Sequence, residues 1–138
     1  MLKKVCAVFL VLCCPALSSA GMLVVVAESS PLAQMDRHEV RQLYMDNASR
    51  FDGHAVTVLD MPEDSQQRER FYQAATGKSA SQLKSYWARM IFTGQGMPPR
   101  QVKSARDMIQ QIKQNPGAVG YVQEADIQEG LRVLLRLP

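Results

Sequence analysis

Val56-Thr57-Val58-Leu59-Asp60-Met61-Pro62-Glu63-Asp64-Ser65-Gln66-Gln67-Arg68 changes character halfway along. Val56–Leu59 is short, apolar and β-branched, as a strand buried in a sheet requires. Asp60–Asp64 is polar and carries a proline, so the strand stops there. Asp64 or Ser65 then suits the N-cap of a helix, because a short side-chain oxygen can accept from an orphan N–H of the first turn. Phe71, Tyr72 and Ala75 supply that helix's inner face and Gly77 its end. A strand running directly into a helix is the building unit of an α/β domain.

The flanks repeat the pattern. Upstream, Leu23-Val24-Val25-Val26-Ala27 reads as a strand buried on both faces, ended by Glu28-Ser29-Ser30-Pro31. Asp36 with Glu39 has capping-box spacing, and Val40, Leu43 and Tyr44 follow at helical period. Asp52-Gly53 reads as a turn. Downstream, Ser79 with Gln82 opens the longest helix, with Leu83, Trp87, Met90 and Ile91 as its apolar stripe. Thr93-Gly94-Gln95-Gly96-Met97-Pro98-Pro99 breaks it. Ser104 caps a further helix with Ala105, Met108, Ile109 and Ile112 inward, stopped by Asn115-Pro116-Gly117. Val119–Val122 and Leu131–Leu135 are the last strands. The order is strand, helix, strand, three helices, strand, strand. It predicts one α/β domain, a sheet with parallel pairs and helices on both faces.

The N-terminus reads as an export signal over residues 1–20, leaving 21–138 as the domain. Lys3 and Lys4 precede the apolar run Val5–Cys14, and Ser18 and Ala20 stand at −3 and −1 of a cleavage site. That run is about half of what spans a bilayer. Cys6, Cys13 and Cys14 all fall within it, so the exported domain has no thiol and must stand on its hydrophobic core. The expected compartment is the periplasm. Setting Lys3 and Lys4 aside leaves 14 Lys+Arg against 13 Asp+Glu. With no basic run, that balance points away from nucleic acid.

Catalytic and metal chemistry find no support. His38 and His54 have no second ligand at metal spacing and read as surface residues. Ser65 lacks a nucleophile-elbow setting. Asp60, Glu63 and Asp64 read as complements to a helix dipole rather than a hydrolytic carboxylate pair. Trp87 belongs to a helical apolar stripe and is expected in the core. The chain reads as a non-enzyme without cofactor or metal. What remains is the strand-to-helix edge itself. There the Ser65 hydroxyl and the backbone N–H groups of Ser65, Gln66 and Gln67 could receive an anion, with Arg68 and Arg70 adding charge within one turn. An ordinary capped helix explains the same residues equally well.

Tyr86-Trp87-Ala88-Arg89-Met90-Ile91-Phe92-Thr93-Gly94-Gln95-Gly96-Met97-Pro98-Pro99, followed by Asn115-Pro116-Gly117-Ala118-Val119-Gly120-Tyr121-Val122, resembles the periplasmic phosphate-binding proteins of ABC transporters, and more closely their short single-domain relatives. Leu43–Asp46, Arg50–Gly53 and Arg68–Phe71 fit the same pattern. The resemblance implies a single lobe of a type II periplasmic-binding-protein-like fold, with a mixed sheet flanked by helices. It implies a solute-binding module for phosphate or a similar oxyanion in transport or sensing, working with a membrane transporter or sensor protein. Ser65 matches the serine of the family's Ser-Gly-Thr. Gln66 and Gln67 replace the glycine and threonine, and Met61-Pro62 stand where an arginine is usual. Ser65, Gln66, Gln67 and Arg68 are thus the expected ligand residues. Thr93, Ser29 and Ser30 join them, as residues at element ends that the fold could bring to the same edge. The alternative is a protein-interaction module that kept the lobe and lost the anion.

Overall fold

The computed structural model describes residues 21–138, so the export signal expected at 1–20 lies outside the described residues. β1 (Met22–Ala27) is buried along its whole length, as its continuous apolar run predicts. α1 (Arg37–Met45) starts at the Asp36/Glu39 capping box, with both reciprocal hydrogen bonds formed. A hairpin absent from the sequence reading follows, β2 (Arg50–Phe51) and β3 (His54–Ala55). Asp52 and Gly53 both take positive φ at its turn, the conformation that suits a tight hairpin.

β4 (Thr57–Asp60) leads to α2 (Gln66–Thr76), N-capped by Ser65 and closed by Gly77 at φ 72°. α3 (Ala80–Phe92) opens with the Ser79/Gln82 capping box. After it come β5 (Arg100–Gln101), α4 (Ala105–Gln114), β6 (Ala118–Gln123), a single 3₁₀ turn (Glu124–Asp126) and β7 (Leu131–Leu137). β5, only two residues long, escaped the sequence reading because such a strand has no period to detect.

The five-stranded sheet has the order β5-β4-β6-β1-β7. β4 is parallel to both β5 and β6, whereas β1 is antiparallel to β6 and β7. The sheet is mixed. Two adjacent residues of β6 show that both its faces are covered. Tyr121 stacks on Phe71 of α2, with ring centroids 3.9 Å apart. A Cβ on Gly120 would lie 2.4 Å from Met108 Sδ and 2.8 Å from Ile112 Cδ1 of α4. Successive strand residues face opposite ways, so α2 and α4 lie on opposite faces. Gly120 is therefore where α4 presses closest to the sheet. Past the end of β1, the chain returns beside β7. Met35 N–H donates to the Leu134 carbonyl, and the Arg132 guanidinium donates to the Ser30 and Leu32 carbonyls.

One core expectation needs correction. Leu83 and Trp87 of α3 are buried and Met90 is half-buried, but Ile91 is 48% exposed. Met90 packs against the core from the last turn of α3, whereas Ile91 beside it stays about half uncovered. Phe92, at 92% exposed, continues the same uncovered end.

Candidate functional site

Asp60 is the last residue of β4, and its carboxylate is 1% exposed. An isolated carboxylate cannot be held in such a place, and this one has four donors. Oδ1 accepts from the Tyr121 hydroxyl at 2.6 Å and the Met61 N–H at 2.9 Å. Oδ2 accepts from the Tyr72 hydroxyl at 2.8 Å and Arg68 Nε at 3.0 Å. Tyr44 completes the cluster from α1, donating to the Leu59 carbonyl at 2.8 Å. Burial, and then the negative charge of Asp60, raise the tyrosine hydroxyls of residues 44, 72 and 121 well above their usual range. All three stay protonated and act as donors.

Arg68 is held from inside. Burial pulls its guanidinium pKa down, but the charge and hydrogen bond of Asp60 outweigh this, and the net shift is upward. Its side chain is 8% exposed. Only Nε is engaged; among the described residues, the two terminal nitrogens have no hydrogen-bond partner. The guanidinium also lies over the Tyr72 ring, 5.0 Å from its centroid. With one edge fixed and the other unpaired, the side chain is set for a planar oxyanion edge without further ordering.

That side chain lines two adjoining cavities. One, of about 200 Å³, is bounded by Glu63, Asp64, Ser65, Glu69, Tyr72 and Leu83. The other, of about 260 Å³, is bounded by Glu63, Lys84, Trp87, Ile91, Pro98 and Gln101. The first turn of α2 opens beside them. Ser65 N–H is already taken by the Pro62 carbonyl, and Ser65 Oγ accepts from Arg68 N–H. The Ser65 hydroxyl proton and the N–H groups of Gln66 and Gln67 remain without partners among the described residues. Gln67 Oε1 is buried without a hydrogen bond. Glu63, Asp64 and Glu69 put three exposed carboxylates around the same entrance.

Ser65 to Arg68 form the cap and first turn of α2 at the carboxyl end of β4; Ser65 and Arg68 line the smaller cavity, whereas Gln66 and Gln67 line neither. Ser29 and Ser30 are not at this end, which corrects the expectation of a shared edge. β6 is parallel to β4 and antiparallel to β1, so β1 ends at the opposite end of the sheet. There Ser30 Oγ accepts from Leu32 N–H in a local turn. Thr93 caps the end of α3, donating to the Arg89 carbonyl at 2.8 Å, and lines neither cavity at Arg68. Arg70 is exposed on α2, and His38 and His54 are exposed on their own elements. Among the described residues, no cluster of three or more potential metal ligands occurs. A further cavity, of about 750 Å³ between α4 and residues 125–128, is lined by Arg106, Ile109, Lys113 and Ile127 and contains no buried charge.

The sequence reading missed the role of Asp60. An acid at the last position of a buried strand, with Tyr72 on the next helix's inner face and Tyr121 in a later strand, was the available signal.

No family model matches the chain, and no curated protein does. Solved structures do. A crystal structure of an ABC-type phosphate transport receptor from Vibrio cholerae superposes with a TM-score of 0.64 at 16% identity, covering 83% of this chain and 45% of that one. PstS from Borrelia burgdorferi gives 0.60 at 10% identity, covering 83% and 46%. This chain therefore spans less than half the length of the proteins it matches. Among the described residues, no helix is long and apolar enough to cross a membrane. The fold of this chain is thus similar to part of these phosphate-transport proteins, a mixed α/β arrangement that matches a single lobe.

Proposed function

We propose that this lobe is a non-catalytic oxyanion-binding module, with phosphate or a similar anion held at the carboxyl end of β4. The observation that carries the reading is Arg68. It is a buried guanidinium, fixed through Nε by Asp60, whose terminal nitrogens have no protein partner, and the residue lines a cavity together with Ser65, the N-cap of α2. The Ser65 hydroxyl, the Gln66 and Gln67 N–H groups and the Arg68 terminal nitrogens are the donors. Glu63, Asp64 and Glu69 oppose them, and the mouth is open to water, so each contact competes with solvent and screening. Affinity is expected to be modest, a Kd of about 10 µM to 1 mM, or roughly −7 to −4 kcal/mol.

Calorimetric titration with phosphate and sulfate at low salt tests this. Gln66 is the first residue of α2, where proline is tolerated because that N–H has no helical partner. Ser65 is already extended, as a residue before proline must be. Gln66→Pro should therefore weaken binding about tenfold while leaving the melting midpoint in place, and added salt should weaken it further. Absence of any heat at millimolar phosphate or sulfate would reject the site.

The wider role proposed is transport or sensing after export to the periplasm, together with a membrane protein. The charged start Lys3-Lys4, the apolar run and the Ser18/Ala20 pattern support export. Mass spectrometry of the cell-derived protein should find Gly21 first; retention of Met1–Ala20 would contradict this. The second reading, an interaction module, is favoured by one observation, the nearly complete exposure of Phe92.

A further inference from the structure

Trp87 is the chain's one tryptophan and is only 5% exposed, yet its Nε1 has no hydrogen-bond acceptor among the described residues. A buried indole N–H left unmade is costly, and phenylalanine would fill the same core position without it. The ring is held in place. Tyr86 meets it edge-on with ring centroids 5.0 Å apart, and the Tyr86 hydroxyl is tied to the Met45 carbonyl at 3.0 Å. Trp87 lines the cavity of about 260 Å³ that Arg68 also lines. Two buried side chains with unused donors thus share one cavity. We infer that this cavity takes the substituent of an organic phosphate, a monoester of a polyol or sugar, whose phosphoryl group meets Arg68 and one of whose substituent oxygens accepts from Trp87 Nε1.

Size and chemistry choose this class. The cavity is roughly nine times a water's share of liquid volume, and it adjoins the space beside Ser65. A bare oxyanion leaves most of that room empty. The walls also suit hydroxyl groups better than a second charge. Glu63 lines the cavity beside Arg68, and its carboxylate repels a small anion but accepts from a hydroxyl. Gln101 offers both a donor and an acceptor, and Lys84 a donor. Trp87 and Pro98 give apolar surface for the substituent's C–H groups, with the Pro98 carbonyl accepting from Asn47 Nδ2 at 3.4 Å. An alkyl or aryl substituent would leave the indole N–H and the rim groups unmatched.

This ligand class rests on the oxyanion reading at Arg68, and calorimetric titration at low salt separates the two. Inorganic phosphate, phenyl phosphate and glycerol 3-phosphate are compared. Glycerol 3-phosphate should bind about tenfold tighter than the other two, and it should change the emission of Trp87, the one tryptophan. Trp87→Phe keeps a ring and removes the N–H. It should cost glycerol 3-phosphate about tenfold and leave inorganic phosphate unchanged. Gln101→Ala removes an exposed rim amide, so it should act in the same direction with the melting midpoint in place. Equal affinities for the three ligands, or an ester advantage that survives Trp87→Phe, would overturn this inference and leave the oxyanion site standing. An ester that binds and responds to Trp87→Phe, beside inorganic phosphate that gives no heat, would support this cavity and remove free phosphate as its ligand. No heat with any of the three would overturn both.

Discussion

Replacing Asp60 with alanine should unfold most of the protein at room temperature. The substitution strands a buried guanidinium and removes the acceptor of two buried tyrosine hydroxyls. Breaking a buried ion pair by deleting one partner costs about 3–5 kcal/mol. Each buried donor left unmade adds roughly 1–3 kcal/mol. Domains of this size have about 5–15 kcal/mol in total. Asp60→Asn keeps the shape and one acceptor but turns an amide towards donors, and should lie between wild type and alanine. Urea unfolding followed by circular dichroism measures both. A wild-type midpoint for Asp60→Ala would show that the carboxylate organises nothing.

A steep alkaline limit follows from the same cluster. The hydroxyls of Tyr44, Tyr72 and Tyr121 are pushed up first by burial and then by the charge of Asp60. In the unfolded chain they titrate near pH 10. Between that pH and their folded values the native state holds protons that the unfolded state has lost, so stability falls as pH rises. The contribution is complete below about pH 10. Above it, each tyrosine removes about 1.4 kcal/mol per pH unit, or about 4 kcal/mol per unit for the three together. Urea midpoints should therefore hold from pH 8 to 10 and drop sharply beyond, with phenolate absorbance rising along with unfolding. Ionisation of all four tyrosines near pH 10 in a protein that keeps its near-ultraviolet dichroism would contradict the cluster as described.

Elements with a local cause were readable before any coordinates. Asp36/Glu39 and Ser79/Gln82 close as capping boxes, Ser65 and Ser104 cap their helices, and the unbroken β1 run is buried on both faces. Features that depend on distant pairing were not readable. β5 exists because Arg100 and Gln101 find Leu59 and Asp60, and the direction of β1 is set by partners about 100 residues away. That direction carried Ser29 and Ser30 to the far end of the sheet. At the site, the spacing of Ser65 to Arg68 was visible, but the character of Arg68 was not. It reads as a surface cation within a helix's first turn. The fold instead buries it against Asp60, eight residues earlier, because Tyr72 and Tyr121 arrive from two other elements to share that carboxylate.

The proposed site puts an oxyanion against Arg68 and the first turn of α2. The most direct measurement is a phosphate titration of ¹⁵N-labelled protein at low salt, following the backbone N–H signals of Gln66 and Gln67 and the guanidinium signals of Arg68. Saturable shifts are expected at these groups with one common Kd between about 10 µM and 1 mM, and none at Ser29, Ser30 or Thr93. Signals that stay still at Gln66, Gln67 and Arg68 up to millimolar phosphate, or that saturate only around the α4 cavity, would contradict it.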